Sequence, residues 1–169
     1  MMTVSMRRLA LVLGIVAMAG AAQARTATGY SHGEKTKIKI VECGNSEAEV
    51  HTAIAFRAMA RAASKAGLDL RIRSGFRSHA KQKQLYKEYQ RGEGHLAARP
   101  GYSNHESGRA LDIYITDYRV YEWLKQHTAE YGFHRTVPGE AWHWEYTGGY
   151  EPKAKAKSVA RKSHKRTNS

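Results

Sequence analysis

Carboxylates inside apolar runs, and histidines close by, are the residues of this 169-residue chain that could do chemistry. Asp112 lies within Ala110-Leu111-Asp112-Ile113-Tyr114-Ile115. Strand alternation puts Leu111, Ile113 and Ile115 on one face and Asp112 on the other, with Ala110 and Tyr114. Carboxylates are depleted from strands, and a buried one needs a cation or several donors to offset its desolvation. A metal ion would supply that charge, but Asp112 alone reads first as an exposed strand face or an ion pair. His143 alternates with Trp142 and Trp144, shares a face with Glu145, and is preceded at three residues by Glu140. A fixed imidazole is a good metal ligand and a nearby carboxylate can act as a base, although a lone histidine among aromatics is more often structural. His105 lies in a polar loop, Ser103-Asn104-His105-Glu106-Ser107-Gly108, that feeds the Asp112 strand. Gly108 can make the turn that lets His105 and Asp112 converge across seven positions. Three N/O ligands leave a fourth position for water, which separates a catalytic zinc site from a closed structural one. His32, His51, His79, His95, His127 and His134 lack this combination.

The elements that must carry these residues are legible in outline. Residues 37–41 alternate polar and apolar side chains as a short strand does. Ser46 and Glu49 form a capping-box pattern opening a helix to about Lys65, with Ala53, Met59 and Ala62 inward and Gly67 placed to end it. Residues 68–74 alternate as a strand, residues 74–78 make a turn, and residues 79–91 form a polar helix. Three glycines and a proline make residues 92–102 a loop. A strand over residues 110–115, an amphipathic helix over residues 117–131 with Val120, Trp123 and Leu124 inward, and a strand over residues 142–146 follow. Helices and strands mixed without a βαβ repeat predict an α+β domain built on a small, mainly antiparallel sheet.

The run Ser103-x-His105-x-x-Gly108-x-Ala110-x-Asp112, followed by Glu140-Ala141-Trp142-His143-Trp144, resembles the VanY-type D-alanyl-D-alanine carboxypeptidases. These belong to a wider group of zinc peptidases that includes the VanX dipeptidases and the hedgehog fold. Ser74-Gly75-Phe76-Arg77-Ser78, with Gln84 and Tyr86 behind it, is similar to the family's Ser-Gly-Tyr-Arg-Ser segment, with Phe76 in place of Tyr. The resemblance spans residues 47–147, and three motifs in the right order make it specific. It implies that His105, Asp112 and His143 hold one Zn2+ per chain, that Glu140 is the general base, and that Arg77 faces the scissile carbonyl. Ser103 and Gln84 are the substrate-binding candidates. Peptidoglycan stem peptides become the expected substrate, and D-alanyl-D-alanine carboxypeptidase the expected activity. An L,D-carboxypeptidase or endopeptidase of the same family is the alternative, and a wall-binding module without activity a third. Asn104, Arg109 and Glu145 depart from the usual pattern and are expected to border the cleft.

The ends of the chain speak to its address. Arg7 and Arg8 precede an apolar run over residues 9–19 and then Ala22-Gln23-Ala24, which predicts a signal peptide over residues 1–24 with cleavage before Arg25. The run falls short of the roughly 20 residues of a membrane span. Residues 151–169 carry seven basic residues and one acid without an apolar period, so a disordered basic tail is expected. Losing two arginines with residues 1–24 takes the formal charge from +13 to +11, of which +6 sits in the tail and +5 in residues 25–150. An exported basic tail meets anionic wall polymers or lipid headgroups, and no nucleic-acid partner is expected. One domain of residues 25–150, acting as a monomer, is the expected unit. Cys43, the single cysteine, can form no internal disulfide and reads as a buried hydrophobe.

Overall fold

Small side chains dominate helix α1, Val50–Lys65, and let strands from two sheets close on it. The computed structural model describes residues 23–152. Most of the predicted leader and tail therefore lie outside the described residues. Before α1 come β1 (Arg25–Ser31), β2 (Glu34–Cys43) and β3 (Ser46–Glu49), an antiparallel sheet in that order. After it come β4 (Ile72–Ser74), α2 (His79–Gln90), β5 (Ala110–Ile113), α3 (Tyr118–His127), a 3-10 turn (Thr128–Tyr131), β6 (Phe133–His134) and β7 (His143–Tyr146). The second sheet is antiparallel in the order β4-β5-β7-β6. The architecture is the expected α+β type.

One core joins the sheets. Ala53, Phe56 and Met59 of α1 pack with Val41 and Ala48 of the first sheet and with Ile72, Leu111, Ile113 and Trp144 of the second. Ala63 takes the inward position predicted for Ala62, which is half-buried. Cys43 is buried and free, and burial pushes its thiol up to about 11, so it behaves as an inert apolar group.

Local chemistry explains the departures from sequence expectation. Ser46 does not open α1. Residues 46–49 pair with β2 as a strand, and Glu49 is the cap, its carboxylate accepting from the amides of His51 (3.0 Å) and Thr52 (3.2 Å). The C-terminus ends as predicted. Gly67 has φ 76°, its amide bonds to the Ser64 carbonyl, and the Leu68 amide bonds to that of Ala63, the paired closure of a Schellman motif. β4 holds only residues 72–74 of the strand expected over 68–74, and its partner β5 ends at Ile113, opposite Ile72. The predicted helix over residues 117–131 is α3 capped by Asp117, then the 3-10 turn, which Gly132 (φ 73°) ends.

Candidate metal centre

Three neighbouring strands set Ser74, Asp112 and His143 in one row, since Asp112 of β5 pairs with Ser74 of β4 on one side and His143 of β7 on the other. Adjacent strands lie about 4.8 Å apart, so side chains on one face of this row meet without further folding. His105 reaches the row from the loop before β5. Gly108 (φ 72°) reverses the chain there, its amide bonding to the His105 carbonyl (3.1 Å), while the Ala110 amide bonds to that of Asn104 (3.1 Å). His105 Nε2 lies 3.3 Å and His143 Nδ1 3.1 Å from the same oxygen of Asp112. One ligand atom from each residue falls within 4.8 Å of the other two.

The outer partners fix which nitrogen of each ring faces inward. A carbonyl can only accept, so His105 donates from Nδ1 to Gly75 O (2.8 Å), leaving Nε2 for the centre. His143 meets Glu145 Oε1 with Nε2 (2.9 Å) and turns Nδ1 inward. Metal-binding imidazoles are held in this way by a carbonyl or carboxylate behind the ring. Ligand atoms about 2.0–2.1 Å from a tetrahedral zinc lie roughly 3.3 Å apart, close to the spacings around Asp112. Two imidazoles and a carboxylate, each oriented from outside, fit zinc with one position open.

Electrostatics point the same way. Burial alone would raise the Asp112 carboxyl, but hydrogen bonds from His105 and His143 outweigh it and hold the group well below the usual carboxylate range. Burial works against a charged His143, yet Asp112 and Glu145 raise it to about 9. Glu145, also opposed by burial, is drawn down to about 2 by His143, Asn104 and Thr136. Without a metal, the positive charge these carboxylates attract is the proton on His143.

Arg77 and Glu140 flank it. Arg77 Nη2 lies 3.9 Å from Asp112 Oδ2, and Glu140 Oε2 lies 3.9 Å from His143 Nδ1. Both are more exposed than the two histidines, as groups at the mouth of a cleft would be. Burial lowers the Arg77 pKa, with Asp112, Glu106 and Glu140 opposing, and a guanidinium lowered in this way still keeps its charge at neutral pH. Its fork is held by Gln82 Oε1 (2.9 Å) and Ser74 Oγ (3.4 Å).

The remaining candidates divide. Ser103 is buried beside His105, its amide directed at Glu106 Oε2 (3.4 Å). Gln84 is not brought to the cluster. It lies on the outer face of α2, bonded to Glu88 and Lys81, while the fully buried Gln82 faces the site. Two positions along a helix turn a side chain by about 200°, so only one of the pair can face inward. Asn104 and Glu145 border the centre, whereas Arg109 turns away to the Tyr146 carbonyl (3.1 Å). Trp142 is exposed rather than packed against His143. Sequence reasoning missed Gln82 and the buried Glu106. The signal available for Gln82 was its helical phase relative to Ser78 and Leu85.

Comparison with solved structures finds the same fold. VanYB in complex with D-Alanine-D-Alanine is 22% identical with a TM-score of 0.58, over 78% of this chain and 90% of that one. A mutant of the vancomycin resistance D,D-pentapeptidase VanY in complex with Zn(II) is 23% identical (TM-score 0.56; 66% and 79% covered). The LdcB LD-carboxypeptidase is 26% identical (TM-score 0.54; 69% and 65% covered). No curated protein matches the chain. The family model described as VanY, D-alanyl-D-alanine carboxypeptidase, matches residues 45–149, from the last turn before β3 to the end of the second sheet, and the chain therefore belongs to that family.

Proposed function

We propose that this zinc carboxypeptidase removes the C-terminal D-alanine from peptidoglycan stem peptides ending in D-Ala-D-Ala. The convergence of His105, Asp112 and His143 between Arg77 and Glu140 carries this reading. These three residues hold one zinc ion. Zinc held there would supply a water with its pKa lowered towards about 7 and a Lewis acid for the scissile carbonyl. Glu140 takes the proton from the attacking water and returns it to the leaving amine as the C–N bond breaks. Arg77, kept in place by Gln82 and Ser74, meets the carbonyl oxygen as it gains negative charge. Ser103, on the loop beside His105, contacts the peptide. Family membership and the neighbour bound to D-Alanine-D-Alanine support the choice of substrate.

We further propose export. Residues 1–24 act as the signal, residues 25–150 form the catalytic domain, and residues 151–169 form a basic tail that touches anionic wall or membrane surfaces. β1 begins at Arg25, the residue expected to lead the mature chain. No helix among the described residues is long and apolar enough to cross a membrane.

The test is mass spectrometry of purified muropeptides after incubation with the mature protein. Loss of one D-alanine from the pentapeptide, abolished by a chelator and restored by zinc, is the expected result. Cleavage of the tetrapeptide at its L,D bond would transfer the assignment to the activity of the LdcB neighbour. Wall binding without any product would reduce the chain to a binding module.

A further inference from the structure

The hairpin of β1 and β2 lies outside the matched residues 45–149, yet it is joined to the loop that carries His105. The Tyr30 amide donates to the Glu106 carbonyl (3.2 Å) and the Gly33 amide to the Gly101 carbonyl (2.9 Å). At Gly29 the approach is so close that a Cβ would come within 2.9 Å of that Glu106 oxygen. Side chains repeat the connection. The Tyr30 ring stacks on His79, centroids 4.0 Å apart and planes at 15°. His79 Nδ1 lies 2.6 Å from Glu106 Oε1, and Glu106 Oε2 accepts from the amides of Gly101 (2.8 Å) and Ser103 (3.4 Å).

Glu106 is 1% exposed, and a carboxylate so buried persists only where donors surround it. It follows His105 directly, and the His105 carbonyl accepts from the Arg77 amide (3.0 Å). The loop is thus held by polar contacts at both ends. Movement of Glu106 would carry His105 and Ser103 with it.

We infer that Tyr30, His79 and Glu106 are positioning residues through which the N-terminal hairpin fixes the His105 loop, and so sets zinc affinity and turnover. The inference rests on the zinc peptidase reading. None of the three touches the ligand atoms; each acts through the backbone of residues 101–106. The hairpin is then part of the catalytic unit although the family model does not reach it.

The test uses the full mature chain with Tyr30→Ala, His79→Ala and Tyr30→Phe, substitutions at half-buried positions that leave the core intact. Zinc affinity is read by competition with a chromophoric chelator, kcat and KM on the muropeptide the parent cuts, and folding by thermal melting. The two alanine variants should each weaken zinc binding and lower kcat by about 10-fold, with KM moving less, while Tyr30→Phe keeps the stack and parental values. Combining the two alanines should cost little more than either alone, because they break one chain of contacts. Parental zinc affinity and kcat in both, with only a lower melting point, would overturn the inference. So would an equal loss in Tyr30→Phe. A parent without turnover would sink the proposed function instead, and the zinc affinities would still decide this point.

Discussion

Glu140 Oε2 stands 3.9 Å from His143 Nδ1, the nitrogen that faces the centre, whereas Glu145 Oε1 stands 2.9 Å from Nε2 on the far side of the ring. A base must reach the water, and of these two carboxylates Glu140 is the one beside the inward-facing nitrogen, as the proposed role requires. Glu140→Gln should keep the fold and the zinc while turnover falls by about 100-fold or more, the scale of a lost general base. Glu145→Ala should instead weaken zinc binding by roughly 10–100-fold and leave turnover per bound zinc much less changed. Metal content and turnover measured on both variants decide between the roles. A second expectation follows from the charge on His143. Its pKa is raised from 6.5 to about 9 in the metal-free protein, so at neutral pH it carries a proton that zinc must displace. At least one proton should leave per zinc bound, that of His143 and in part that of the bound water, and affinity should climb with pH until about 9; calorimetry in buffers of different ionisation enthalpy reads both. In the metal-free fold the raised pKa stabilises fully below 6.5 and fades as pH rises through about 9. Glu145, lowered from 4.5 to about 2, contributes above 4.5 and fades as pH falls through about 2. Asp112 and His143 each read weakly alone, and the set of His105, Asp112 and His143 was legible because three motifs in family order join them. The work of Glu145 was not, because strand alternation puts it on His143's face without saying which nitrogen it meets.

At the scale of elements, turns matter more than strand length. Gly108 has φ 72°, and a Cβ there would lie 2.8 Å from the Glu49 backbone nitrogen, which itself donates to the Gly108 carbonyl (2.9 Å). Gly67 has a similar φ of 76° but open space around it. Both alanine variants suffer the backbone strain, about 1–3 kcal/mol for a side chain held in the left-handed region. Only Gly108→Ala must also push apart α1's cap and the turn that brings His105 to Asp112. Thermal melts should therefore show both variants destabilised and Gly108→Ala more so. Turnover per folded molecule should fall in Gly108→Ala alone. The Gly108 turn and the Gly67 stop could be read in advance, since glycine at an element's edge has few other uses. β1 could not, because its inward residues Ala27 and Gly29 are too small to give an apolar signal and the strand exists through its pairing with β2. Ser46 to Glu49 fits a capping box and a short strand equally, and the pairing with β2 decided it.

For the whole molecule, charge is divided unevenly along the chain, and this was legible from composition alone. Residues 153–169 pack seven lysines and arginines and no acid into 17 positions, whereas the +5 of residues 25–150 is spread over a stretch many times longer. The metal centre and its flanking groups all lie between Ser74 and Tyr146, so the proposed chemistry uses nothing from the tail. If the tail serves retention on anionic surfaces, removing residues 153–169 should leave kcat/KM on a small soluble peptide at the parental value. Binding of the protein to cell-wall preparations should weaken. The retained component in the parent should fall steeply between low and physiological salt, because exposed charges are screened over about 8–10 Å. The truncated protein should show a shallower salt dependence, since the domain's positive charge is dispersed over a much longer stretch than the tail's. Sedimentation with wall material across a salt series separates the two. A truncated protein that sediments as strongly and as salt-sensitively as the parent would place the wall contact on the domain itself, where the exposed Lys35, Lys37 and Lys39 of β2 are the next basic row to test.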